Sequence, residues 1–122
     1  MANEITHTNS LSFQKDGVTG NTLAVAGAQH SVSGYRYFRQ VQSVTTTEAA
    51  LQLGSLATLG WCFMKNLDAT NFVQVKTATA GVLMLKLKAG ESVCFRFGSG
   101  VTAPFIIADT ATCKVEYMIV ED

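Results

Sequence analysis

Two histidines, three cysteines, one Asn and Asp cluster and one aromatic and cationic segment hold the chemistry within reach of this sequence. A metal-dependent cupin-type enzyme needs several His with a carboxylate on neighbouring inward strands. His7 and His30 stand on separate early segments with no His-x-His pair, so they are read as surface or subunit-contact histidines. Cys62, Cys94 and Cys113 show no Cys-x-x-Cys spacing and are odd in number, which argues against a disulfide framework and for small buried hydrophobes. An intermolecular disulfide in oxidising surroundings is the alternative. A catalytic thiol needs a nearby His to lower its pKa, and neither His falls in the motifs around the cysteines. Asn66, Asp68 and Asn71 offer hard oxygen ligands of the kind Ca²⁺ takes. With one carboxylate among them, a tight turn closed by Asx side chains explains them better. Gly98-Ser99-Gly100 lacks the strand-to-helix setting of a nucleophile elbow or phosphate loop. No catalytic residue, metal or other cofactor is therefore expected.

Tyr35-Arg36-Tyr37-Phe38-Arg39 is the segment where aromatics and cations crowd together, the composition of protein and sugar contacts. Tyr35, Arg36, Tyr37 and Arg39 are the candidate subunit-contact residues, with carbohydrate as the less favoured ligand.

Extended elements must position these groups. Leu83, Leu85 and Leu87 interleave with Met84, Lys86 and Lys88, and Val93, Phe95 and Phe97 interleave with Cys94 and Arg96, a period of two that marks strands with one buried side. Ala89-Gly90-Glu91 between them reads as the turn of a hairpin. Further strands are expected over 5–13, where His7 and Asn9 share the parity of Ile5, Leu11 and Phe13, and over 32–44, 59–65, 71–76, 105–108 and 112–120. The segment 47–53 (Thr-Glu-Ala-Ala-Leu-Gln-Leu) is the one candidate helix, stopped by Gly54. Leu83, Leu85, Leu87, Val93, Phe95, Phe97, Val115, Tyr117 and Ile119 are expected to line one interior. The fold expected is all-β: an antiparallel, jelly-roll-like sandwich forming a single domain over 1–122, with at most one short helix and a closed barrel as the alternative.

The length of 122 residues suits one domain. Charged residues are 15% and hydrophobic ones 48%, so core material is ample while little charge keeps the chain solitary. Nine cations balance nine anions, which leaves no basic patch for nucleic acid. No apolar run reaches membrane-spanning length, and Met1-Ala2-Asn3-Glu4 does not open a signal peptide. A homo-oligomer or a repeating lattice is the expected partner, with residues 2–12 as a polar arm toward a neighbour.

Three segments carry a resemblance. They are 60–73 (Gly-Trp-Cys-Phe-Met-Lys-Asn-Leu-Asp-Ala-Thr-Asn-Phe-Val), 85–92 (Leu-Lys-Leu-Lys-Ala-Gly-Glu-Ser), and 108–112 (Ala-Asp-Thr-Ala-Thr) leading to 116–122 (Glu-Tyr-Met-Ile-Val-Glu-Asp). In this order they resemble small β-rich virion proteins of tailed bacteriophages. The likeness covers roughly residues 54–122. It implies a non-enzymatic structural component, present in many copies, made in a bacterial cytoplasm and placed on the virion. Capsid decoration, or cement, is favoured over a tail or neck position, with the major capsid protein or other virion proteins as partners. Asn66, Asp68 and Asn71 carry over as one turn, and Gly90 and Glu91 as another. A carbohydrate-binding module using Tyr35, Tyr37 and Trp61 as stacking platforms is the competing class.

Overall fold

The computed structural model describes residues 4–15, 17–19, 22–34 and 36–122. Contacts divide the chain into two compact units, 1–33 and 34–122. The sandwich expected over the whole length is built by the second unit alone.

The first unit is a ribbon. Strand β1 (Ile5–Leu11) pairs antiparallel with β4 (Leu23–His30), and β2 (Gln14–Lys15) pairs with β3 (Val18–Thr19) between them. Strand β4 is not among the expected strands, because its Leu-Ala-Val-Ala-Gly-Ala run has one β-branched residue, no aromatic and a glycine, too little to mark a strand.

In the second unit the strands are β5 (Tyr37–Val44), β6 (Ala49–Ala50), β7 (Leu59–Asn66), β8 (Val73–Lys76), β9 (Leu83–Leu87), β10 (Ser92–Arg96), β11 (Phe105–Ala108) and β12 (Cys113–Glu121). They form two four-stranded antiparallel sheets, in the orders β10-β7-β12-β5 and β6-β11-β8-β9. This is the strand order of a jelly roll, in which chain neighbours mostly fall in opposite sheets. Cys62, Met64, Val115, Tyr117 and Ile119 from one sheet meet Val73, Val75, Leu87, Ile106 and Ala108 from the other in a continuous core.

Three sequence expectations need correction. The first is the hairpin: β9 pairs with β8 and β10 with β7, so the turn at 88–91 arches between the sheets. Strict alternation fixes which face of a strand is buried, and two strands feeding one interior satisfy it whether they lie side by side or face each other. The second is the helix over 47–53. Strand β6 pairs with β11, and Leu51 N donates to Pro104 O at 2.9 Å. Seven residues cannot sustain a helix unaided, and burying Leu51 to 2% exposure decides the conformation. Gly54, with φ 60°, then turns the chain so tightly over the Phe38 ring that no side chain fits there. The third is Leu83, which is 51% exposed. The register with β8 slips between Val75 and Lys76. This bulge turns Met84 toward the core beside Leu85 and sends Leu83 out. The other eight expected core residues are buried or packed against the core.

Asn66 holds the arch. It is fully buried, and its Nδ2 donates to Asn71 O (2.9 Å), Leu87 O (3.2 Å) and Lys88 O (3.3 Å) while Oδ1 accepts from Asp68 N (3.0 Å). Its backbone N donates to Glu91 O, and its carbonyl accepts from Gly90 N. The 88–91 turn closes on itself through Lys88 N to Glu91 Oε1 at 2.7 Å, with Gly90 at φ 76°. Asp68 Oδ2 accepts from Thr70 N and Asn71 N. Those backbone donors hold its carboxyl below the usual carboxylate range. The two turns expected at 66–71 and 90–91 are therefore one hydrogen-bonded unit. Replacing Asn66 by Ala removes its side-chain bonds to three carbonyls and one amide, and is expected to cost about 3 kcal/mol or more in urea unfolding. A cost below about 1 kcal/mol would show that the arch holds without it.

Candidate functional site

The inward residues of β10-β7-β12-β5 build the core, so the alternate residues make its outer face. Register sets them in rows. Cys94 opposes Phe63, Phe63 opposes Met118, and Met118 opposes Arg39. Beside this row Arg96 opposes Trp61 and Tyr37 opposes Val120, and on the other side Glu116 lies between Lys65 and Val41. Tyr37 is 69% exposed, Val41 50%, Phe63 44% and Met118 38%. An exposed patch of Tyr, Val, Phe and Met with half-buried Trp61 beside it, bordered by Arg, has the composition of a protein contact.

The charges on this face are partly fixed. Arg39 Nη2 lies 3.2 Å from Glu116 Oε2, and Arg96 pairs with Asp122. The Arg96 guanidinium also stands over the Trp61 ring, 6.0 Å from its centroid. A shallow groove lined by Tyr37, Arg39, Val41 and Glu116 runs along β5, whose outer edge pairs with no other strand among the described residues.

Of the four expected contact residues, Tyr37 and Arg39 lie on this face and Tyr35 falls outside the described residues. Arg36 does a different job. Its carbonyl accepts from Glu121 N (2.8 Å), its Nη1 donates to Ser55 O (3.0 Å), and its Nε stands 3.8 Å from Glu121 Oε1. Glu121 in turn accepts from Ala57 N, so Arg36 ties β12 to the 55–57 loop. Phe63, Met118 and Val41 are not among the contact residues expected from sequence, and Cys94, expected as a small buried hydrophobe, is half-buried on this face. The signal was present in β7, where Cys62 and Met64 take one parity and Trp61 and Phe63 the other, so both sides of that strand are apolar.

Beneath the face lies a polar knot. Tyr117, fully buried, donates from its hydroxyl to Gln52 O at 2.6 Å, with Gln42 Oε1 3.0 Å away, and accepts from Gln40 Nε2 at 2.8 Å. Burial pushes its phenol up to about 12, against the easing effect of the Gln40 hydrogen bond. Burial, and next the neighbouring Cys94, push the Cys62 thiol up to about 12, and burial also raises Cys94 and Cys113. All three cysteines are free thiols. His7 and His30 stack on each other in the ribbon, with ring centroids 4.9 Å apart. Among the described residues no group of three or more His, Cys, Asp or Glu is placed to hold a metal ion, and no helix is long and apolar enough to cross a membrane.

No protein-family model, curated protein or solved structure matches the chain.

Tyr117 and Cys62 both hold their protons more tightly in the folded chain than at their ordinary values of 10.0 and 9.0. Their contribution is fully present below pH 9 and is lost as pH rises toward 12. Stability is therefore expected to fall by about 1.4 kcal/mol per pH unit for each group, from pH 9.0 for Cys62 and from pH 10.0 for Tyr117, up to about 12. Unfolding curves of the Tyr117→Phe, Cys62→Ala double variant should show a shallower alkaline slope than the parent. An unchanged slope would contradict the assignment.

Proposed function

We propose that the chain is a capsid decoration protein of a tailed bacteriophage, which lays the outer face of its β10-β7-β12-β5 sheet on the head lattice and stabilises the shell without catalysing a reaction. One observation carries the reading. Phe63, Met118, Tyr37 and Val41 form an exposed apolar face, with half-buried Trp61 beside them and cations at its border, and it belongs to the unit that holds all three phage-like segments. Those segments coincide with β7 and its Asn66 turn, with β9 and the arch, and with the loop and strand of β12.

The physical role is mass action. A protein that binds the assembled lattice and not the dissociated subunits raises the free energy needed to open the shell. The low charge of the chain suits it to sit among copies and neighbours. Stacking of a sugar on Trp61 is the weaker reading, because Arg96 already stands over that ring.

Phage lacking the chain should form particles that lose infectivity at lower temperature while adsorbing to cells normally. The Phe63→Asp, Met118→Asp double variant alters exposed positions only, so it should fold. Burying its carboxylates should lower copies per purified particle about tenfold or more. Unaltered heat resistance with lost adsorption would refute the decoration role and favour a carbohydrate-binding one.

A further inference from the structure

The ribbon of the first unit carries a second uncovered surface, different in kind. Paired residues of an antiparallel ribbon share a face. The register places Ile5 with His30, His7 with Ala28, Asn9 with Val25 and Leu11 with Leu23. Midway, a bulge lets Ala26 and Gly27 oppose Thr8, with Gly27 at φ 65° and its N donating to Thr8 Oγ1 at 3.1 Å. The extra residue keeps both halves of the ribbon in phase. One face thus carries Ile5, Ala28, Val25, Leu11 and Leu23, with Asn9 among them and a stacked His pair toward one end, and the other holds Thr6, Ser10 and Gln29. On the first face Leu11 is 75% exposed, Leu23 79% and Val25 47%.

We propose that this face packs against the same face of a second copy of the chain. Two-stranded ribbons are at best marginally stable in water, so the ribbon needs a cover. The eight paired residues on the face include no Lys, Arg, Asp or Glu, and identical faces can meet without like-charge repulsion. The sandwich face, by contrast, is charged, with Lys65 and Lys114 beside the Arg39–Glu116 and Arg96–Asp122 pairs, and a homotypic contact there would have to desolvate those charges. Area sets the strength. Seven residues at about 3.4 Å each, across two strands about 4.8 Å apart, give a face of a few hundred Å² per copy, below the roughly 800 Å² per partner of a stable complex. Self-association is therefore weak in dilute solution and strong wherever copies are held close together. The contact goes beyond the decoration role and stands or falls independently of it.

Sedimentation velocity on the full chain, from micromolar to millimolar, tests this. The parent should associate with rising concentration. Leu11→Asp with Leu23→Asp should raise the half-association concentration about 100-fold or more, while Thr6→Asp with Ser10→Asp, on the opposite face, should leave it unchanged. Should the first variant lose its ribbon, isotope-filtered NOE spectra of a mixed labelled and unlabelled parent sample decide directly. Leu11 methyls are expected to contact Leu23 or Val25 of another copy. A parent that stays monomeric, an unaffected Leu11 and Leu23 variant, equal loss on both faces, or intermolecular contacts at Phe63 and Met118 would each overturn the proposal.

Discussion

The side-chain amide of Asn66 is the constraint on which the jelly roll depends. A single buried residue bonds the 66–71 turn, the end of β9, and the 88–91 arch that carries the chain into the other sheet. Buried polar groups are costly unless satisfied. Here both Nδ2 and Oδ1 are engaged, so the cost falls on conformations that break the arch rather than on the native one. The adjacent Leu67 N donates to Lys114 O, which extends the brace to β12. A core of Val, Ile and Met is tolerant of rearrangement, because apolar contacts are non-directional. The Asn66 and Tyr117 networks supply the direction.

With the sheets fixed in that order, the outward residues of four strands fall into register without further cause. Trp61 and Phe63 stand outward because Cys62 and Met64 point inward, and Met118 stands beside Phe63 because β12 pairs with β7. The exposed outer face is thus a consequence of the core. The chain also presents two exposed surfaces of different character: a cation-bordered aromatic one on the sandwich and one on the ribbon that is rich in aliphatic residues and holds no Lys, Arg, Asp or Glu. Different partners suit such different surfaces, since complementary charge selects unlike surfaces and its absence permits like ones.

Parity was legible in the sequence and partnership was not. The alternation at 113–119 gave the buried face of β12, and every residue expected inward there is buried. The same alternation could not say that β9 and β10 lie in opposite sheets, because pairing is set by the Asn66 clamp, whose bonds reach across 21 and 22 residues. The Met84 bulge, which reversed Leu83, left no mark in a run of alternating Leu. Glu48 and the alanines after it favour helix locally, yet Glu48 pairs with Lys76 at 3.2 Å and accepts from Ala80 N, contacts that only the tertiary fold provides. Of the contact segment, Tyr37 and Arg39 were legible as an aromatic and cationic cluster. Phe63 and Met118 join them only through sheet order, which no local pattern encodes.

The most direct test of the proposed decoration role is a map, at a resolution that shows side chains, of phage particles assembled in the presence of this chain. It should place Trp61, Phe63 and Met118 against a head-shell subunit, with the opposite sheet turned toward solvent. A map with that face open to solvent, or with the chain confined to the tail, would contradict it.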